Sequence, residues 1–157
     1  MNITIVDYDE KYADAIDKIE DDIWEVSGAR NEYLDGKVFK IALKDEEVIG
    51  VLYGKHIGDM FHLDVIAIKP EYQKQGIGST LMEEILFDIK EKNTKNIVAT
   101  VVYSNNKMNA KGLMNKYNFK ELFRIKGYWG TIDDTIKCKI CGNKPCQCTC
   151  VIFLKEI

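Results

Sequence analysis

No stretch of this 157-residue chain is apolar for long enough to cross a bilayer, and Met1-Asn2-Ile3-Thr4-Ile5-Val6-Asp7 lacks the basic region and apolar core of a secretory signal. A cytoplasmic protein without membrane contact is expected. Charge of one sign is also scarce: 22 Lys+Arg against 25 Asp+Glu leave a formal charge of -3, with no long single-sign block. That excludes the basic footprint of a duplex nucleic-acid binder. No internal repeat or low-complexity linker divides the sequence, so a single domain over 1–157 is expected. Cysteine is missing before Cys138, then appears five times by Cys150, which is not how disulfides are spread through a secreted scaffold.

What is present suffices for a well-filled core, with 46% apolar residues and 10% aromatics. Asn2 to Val6 alternates β-favouring residues and predicts a strand. Asp9 then N-caps a helix bearing Tyr12, Ile16, Ile19 and Ile23 on one side. Asp21, Asp22 and Glu25 read as its solvated face, with Trp24 either solvated beside them or lining a cleft at the helix end. Ser27 to Gly36 is a loop by composition. Lys37 to Leu43, Glu47 to Lys55 and Met60 to Ile68, separated by Lys44-Asp45-Glu46 and Gly58-Asp59, predict an antiparallel meander.

Ile77, Leu81, Met82, Ile85, Leu86 and Ile89 recur at helical spacing, while Glu83, Glu84 and Lys90 face away. Asn96 to Tyr103 is β-branched enough for a buried strand, and the helical crossover makes it parallel to Met60 to Ile68. Lys107 to Asn118 predicts another helix with Asn118 as a left-handed cap. Phe119 to Tyr128 and Val151 to Ile157 predict a final antiparallel pair.

Between the central strand and its helix lies Gln73-Lys74-Gln75-Gly76-Ile77-Gly78. Two glycines at this spacing let backbone approach a ligand closely, and the unpaired N–H groups opening a helix carry partial positive charge. Such a turn holds an anion, most often phosphate. It is neither a P-loop, which has Lys and Ser/Thr after its last glycine, nor a G-x-G-x-x-G dinucleotide fingerprint.

Preceded by Ile68-Lys69-Pro70, the turn Gln73-x-x-Gly76-x-Gly78 resembles the acetyl-CoA-binding motif of the GNAT N-acetyltransferase superfamily, and the order of elements along nearly the whole chain is similar to that fold. The resemblance implies an α/β (α+β) acyl-CoA acyltransferase fold. Its mixed, mostly antiparallel sheet has one central parallel strand pair splayed apart and helices on its flanks. It implies acetyl-CoA as cofactor, with Ile66, Ala67 and Ile68 offering backbone to the pantetheine arm. Gln73, Lys74, Gln75, Gly76, Ile77, Gly78 and Ser79 would hold the pyrophosphate, and Asn106 would be a further contact. The expected activity is N-acetyltransfer by direct attack of a primary amine on the thioester. The acceptor is a small-molecule or peptide amine and the protein a monomer or homodimer. The alternative is a catalytically weak acetyl-CoA-binding regulatory or interaction module.

Direct transfer needs a neutral amine, donors for the oxyanion and a proton for the leaving thiolate, but no covalent nucleophile. Asp64 lies on the central strand where many relatives carry a catalytic Glu, and strict alternation puts His62, Asp64, Ile66 and Ile68 on one face. Aligning the family's Asn-x-x-Ala-x-x-x-Tyr-x-x-x-Gly-Phe pattern on Ala110 and Phe119 places Met114 where the general-acid Tyr stands, Lys107 at the Asn and Asn118 at the Gly. Tyr117 is the nearby phenol, either an acid or a packing residue.

Cys138-Lys139-Ile140-Cys141-Gly142 resembles one half of a zinc knuckle, since closely spaced thiolates suit a tetrahedral soft-ligand metal. Cys146, Cys148 and Cys150 would share one face of a strand, and two of them would complete a four-thiolate Zn site in a 138–150 loop joining the last two strands. Free thiols are the other reading.

Overall fold

The computed structural model describes residues 2–24 and 36–157, and of Trp24 the backbone alone. The expected Ser27 to Gly36 loop and the roles of Trp24 and Glu25 therefore lie outside the described residues, apart from Gly36. In chain order the strands are β1 (Ile3–Val6), β2 (Lys37–Lys44), β3 (Glu47–Ile57), β4 (Met60–Ile68), β5 (Asn96–Tyr103), β6 (Lys120–Lys126) and β7 (Thr149–Glu156). The helices are α1 (Ala13–Trp24), α2 (Ile77–Lys90), α3 (Lys111–Lys116) and α4 (Tyr128–Ile132). The strands form one 7-stranded sheet in the order β1-β2-β3-β4-β5-β7-β6. Every neighbouring pair is antiparallel except β4 and β5.

The central strands are apolar on both faces because each face is covered. Ile77, Leu81, Met82, Ile85 and Ile89 of α2 pack with Ala42, Leu52, Phe61, Leu63, Ile97, Ala99 and Phe153 on one side of the sheet. Ile16 and Ile19 of α1 pack with Phe39, Ile41, Val51, Tyr53 and Ala67 on the other. Burying each such side chain contributes roughly 1.5–3 kcal/mol, which far exceeds the helix propensity of these segments. Asp9 caps through its side chain, accepting from the Lys11 amide at 3.0 Å, but it opens a short 3-10 turn (Glu10–Tyr12) that leads into α1.

Four expectations change. Strict alternation along β4 fails at Asp64: Tyr53 pairs with Val65 and Gly54 with Leu63, so Asp64 is the extra residue of a β-bulge. Phe61 and Leu63 consequently share the α2 face with Ile66 and Ile68, while Val65 and Ala67 face α1. The signal was Gly54, where an added Cβ would lie 2.2 Å from the His62 carbonyl oxygen; a glycine inside a strand often marks such a close approach.

The Lys107 to Asn118 helix is also shorter than its periodicity suggests, spanning only Lys111–Lys116, with Asn118 at φ 62 ending it as expected. The strand expected over Phe119 to Tyr128 spans only Lys120–Lys126. Gly127, at φ 63, turns the chain into α4, a helix the sequence reading missed. Finally, Asp21 is not simply solvated: its Oδ1 is shielded from solvent at the end of α1.

Candidate active site

The parallel pairing of β4 with β5 covers only Met60 to Leu63 against Asn96 to Ala99. Beyond it β5 continues to Tyr103 bonded to β7, and β4 continues to Ile68 bonded to β3. The two strands thus part at Asp64, leaving the β5-facing backbone edge of Ile66, Ala67 and Ile68 without a strand partner. Unpaired strand backbone at a splayed edge is a set of donors and acceptors for an extended ligand.

The expected anion turn sits against this edge. Gln73 Nε2 donates to the Ile68 carbonyl at 2.9 Å and Gln75 Nε2 to the Glu71 carbonyl at 3.1 Å, so both glutamines brace the loop. Lys74 at φ 59 and Gly76 at φ 85 bend the chain through left-handed backbone into α2. The Thr80 amide makes the first helical bond, to Gly76 O at 3.0 Å, which leaves the amides of Ile77, Gly78 and Ser79 as the unpaired helix opening. A Cβ on Gly78 would lie 3.5 Å from Ile66 Cδ1, so the helix start packs directly on the open strand edge. Lys116 of α3, which the sequence did not single out, donates from Nζ to Ser79 Oγ at 2.9 Å and brings a cation to the same turn. Across the gap, Asn106 Oδ1 accepts from the Tyr103 hydroxyl at 3.1 Å just past β5.

On the α1 face lies a polar cluster. His62 Nδ1 donates to Asp64 Oδ1 at 2.8 Å, and Lys37 Nζ stands 3.8 Å from Asp64 Oδ2. Lys37 also sits over the Tyr53 ring at 4.9 Å, and the Tyr53 hydroxyl donates to Glu20 Oε1 at 2.7 Å. Glu20 and Tyr53 are buried, at 6% and 5% exposure, so that pair is fixed in position. The contact with Asp64 assigns a proton to His62 Nδ1. A carboxylate at the apex of a gap, held by a histidine and a lysine, can accept a proton from an amine directly or through water. Lys37, Tyr53 and Glu20 carry no local motif; only the sheet and α1 bring them to Asp64.

Tyr117 is elsewhere. Its hydroxyl lies 3.1 Å from the Ser79 carbonyl and 2.8 Å from Glu83 Oε1, both on α2, and its ring packs on the α2 side of the sheet. Burial first, then the hydrogen bond to Glu83, raise its pKa. Met114, at the family's acid position, is 1% exposed and part of the core.

The cysteines make a second centre. One sulfur from each of Cys138, Cys141, Cys146 and Cys148 lies within 4.8 Å of the others, and the Cys138 and Cys148 sulfurs are 3.7 Å apart. A tetrahedral zinc site with Zn–S of about 2.3 Å has sulfur–sulfur edges of about 3.8 Å, so this donor set fits a soft divalent metal. All five cysteines are free thiols. The Gln147 amide donates to Cys141 Sγ and the Cys148 amide to Cys146 Sγ, each at 3.4 Å. Burial opposes ionisation of Cys141, but the amides of Gln147 and Asn143 outweigh it and lower its pKa to about 6. Burial pushes Cys146, Cys148 and Cys150 up.

Cys150 lies outside the set of four. The expected one-faced strand of Cys146, Cys148 and Cys150 does not form, because β7 begins only at Thr149 and the first two cysteines lie in the irregular segment before it.

A family model described as the acetyltransferase (GNAT) family matches residues 5–117. No curated protein matches the chain. Among solved structures, an Elizabethkingia anophelis GNAT family acetyltransferase with acetyl-CoA bound is similar, with a TM-score of 0.79 and 19% identity over 99% of each chain. Arabidopsis thaliana NAA60 in complex with a bisubstrate analogue gives 0.80 and 15%, covering 99% of this chain and 98% of that one. A ribosomal-protein-alanine N-acetyltransferase from Brucella melitensis gives 0.76 and 18%, covering 98% and 99%. At these identities the likeness is one of fold. Among the described residues no helix is long and apolar enough to cross a membrane.

Proposed function

Because the chain belongs to the acetyltransferase (GNAT) family, we propose that it is an acetyl-CoA-dependent N-acetyltransferase acting on a primary amine of a small molecule or peptide. The observation that carries this reading is the continuity of the site: the open edge of Ile66, Ala67 and Ile68 runs straight into the glycine turn at the head of α2. Acetyl-CoA supplies the activated acyl group. The amides from Gln73 to Ser79, with the charges of Lys116 and Lys74, hold its pyrophosphate. The β4 edge aligns the pantetheine arm and offers N–H groups to the thioester oxygen. Asn106 borders the same gap.

Asp64, oriented by His62 and Lys37, takes the proton that an ammonium acceptor must lose before it can attack. With Met114 in the core and Tyr117 committed to α2, water is the proton donor to the leaving thiolate. Cys138, Cys141, Cys146 and Cys148 hold a structural zinc, and the reduced thiols this requires suit a cytoplasmic setting.

The test is calorimetric titration of the whole chain with acetyl-CoA, followed by thiol release over a panel of primary amines. Binding with amine-dependent release is expected. Failure of acetyl-CoA to bind overturns the reading, and binding without release to any amine reduces it to a binding module.

A further inference from the structure

The two residues inside the Cys138-x-x-Cys141 turn reach in different directions. Lys139 Nζ donates to the Asp21 carbonyl in the last turn of α1 at 2.7 Å. The Ile140 carbonyl accepts from Asn105 Nδ2, in the turn that follows β5, at 3.5 Å, the outer limit of a hydrogen bond. One metal-binding turn therefore touches the end of α1 and the end of β5.

The centre also sits on a definite side of the sheet. Ile97, Ala99 and Val101 of β5 face α2, so the intervening Val102 faces α1, and it is Val102 that packs against Cys138, Cys146 and Cys148. This is the face that carries Asp64, His62 and Lys37. The acetyl-CoA turn belongs to the opposite face, with α2.

Two more contacts join the centre to α4. A Cβ on Gly130 would lie 2.4 Å from the Cys146 carbonyl oxygen, and the Gly127 amide donates to the Cys148 carbonyl at 3.0 Å. Helix α4 is only 5 residues long, too short to be stable without such support.

From these contacts we propose that zinc held by Cys138, Cys141, Cys146 and Cys148 is a clasp for the acceptor side of the site, joining the end of α1 to the end of β5 and fixing α4 beneath them. This rests on the acetyl-transfer reading only in calling that side the acceptor side. A loop of this size cannot bury a core of its own, so without metal its thiols have nothing to hold the turn closed. Loss of zinc then releases Lys139 and Ile140 together, and with them both walls. The grip on acetyl-CoA, which depends on the Ile68 to Ser79 turn and α2, is unaffected. Cys150, on β7 outside the set, is not a ligand.

The experiment uses the full chain, zinc-loaded and after chelation, followed by hydrogen exchange of the backbone amides, with acetyl-CoA affinity measured on both forms. Zinc content of about one per chain is expected, lost in Cys141→Ser and kept in Cys150→Ala. Cobalt(II) replacing zinc should show the absorption of a tetrahedral thiolate site. Chelation should speed exchange by roughly tenfold or more in the cysteine loop, α4, the last turn of α1 and the turn after β5. Exchange at Gln73 to Ser79 and the Kd for acetyl-CoA should change by less than about twofold.

Faster exchange confined to the cysteine loop would overturn the clasp and leave only a local staple. A folded chain that binds neither zinc nor cobalt(II) would overturn the metal site, whatever acetyl-CoA does. Failure of both forms to bind acetyl-CoA would instead count against the acetyl-transfer reading, with the exchange data still deciding the clasp. If chelation unfolds the whole chain, Lys139→Met decides: zinc retained with faster exchange at the end of α1 supports the clasp, and unchanged exchange there refutes it.

Discussion

Replacing Gly76 by valine tests the glycine turn with little interference from packing. Gly76 is held at φ 85 and ψ 0, and nothing lies within 4 Å of where its Cβ would be. The penalty is therefore backbone strain alone, about 1–2 kcal/mol for an L-residue in left-handed conformation. If the turn keeps its shape, that strain lowers stability, and for a chain of this length each kcal/mol is about 2–4 °C in Tm. If the turn relaxes in the free protein, the strain must be met on binding, and acetyl-CoA affinity falls roughly 5- to 30-fold. The losses in Tm and Kd should add up to the same total. Gly78→Ala is the control: its Cβ would meet Ile66 Cδ1 at 3.5 Å and Leu113 Cδ2 at 3.9 Å, which is ordinary contact. Inside a helix alanine is favoured over glycine by about 1 kcal/mol, so Tm should hold or rise and Kd change by less than about twofold. Calorimetric titration with acetyl-CoA and a thermal melt measure both. A Gly76→Val protein with unchanged Kd and unchanged Tm would refute the reasoning, as would a Gly78→Ala protein that loses more affinity than Gly76→Val.

Three further perturbations test other parts of the molecule. Asp64→Asn removes the carboxylate at the apex of the gap and should lower turnover roughly 10²–10⁴-fold and remove the acid limb of the pH–rate profile; an unaltered profile would clear Asp64 of the base role. Lys40 is 6% exposed and lies 2.6 Å from both Asp7 Oδ1 and Asp88 Oδ2. Burial lowers its pKa, but the hydrogen bonds to Asp7 and Asp88 outweigh this and the net shift is upward. Its stabilisation is thus fully present below the unfolded pKa of about 10.4 and lost as pH rises through the higher folded value. With both aspartates partly solvated, Lys40→Met should cost about 1–2 kcal/mol in urea unfolding at neutral pH, a gap that closes in strong alkali. His56 has its pKa lowered by burial first and by the Lys92 charge second. Its neutral form is favoured by folding, so stability should fall as pH drops below about 6.5, and His56→Gln should flatten that slope.

The features that the sequence alone determined are those written within one turn or one helix. The 3.6-residue recurrence from Ile77 to Ile89 fixes α2 because its buried side chains all come from neighbouring turns, and the helix bounds at Ile77–Lys90 follow it closely. Gln73 to Gly78 is legible for the same reason, as its bend depends on backbone that only glycine adopts freely. Cys138-x-x-Cys141 is legible as half of a candidate metal site because two thiols of one turn need no distant partner.

Tertiary structure decided what depends on pairing between strands far apart in the chain. Asp64 becomes a bulge only because β3 presents Gly54 opposite Leu63, and that bulge turns the polar cluster toward α1. Glu20 and Tyr53 are 33 residues apart and share a hydrogen bond that no local pattern encodes. The choice of Cys146 and Cys148 over Cys150 is likewise set by register, since the pairing of Tyr103 with Thr149 starts β7 and carries Cys150 away into the sheet. Local pattern chose most of the elements and the glycine turn; sheet register chose which side chains meet, because a residue's face in a strand depends on the partner strand as much as on its own neighbours.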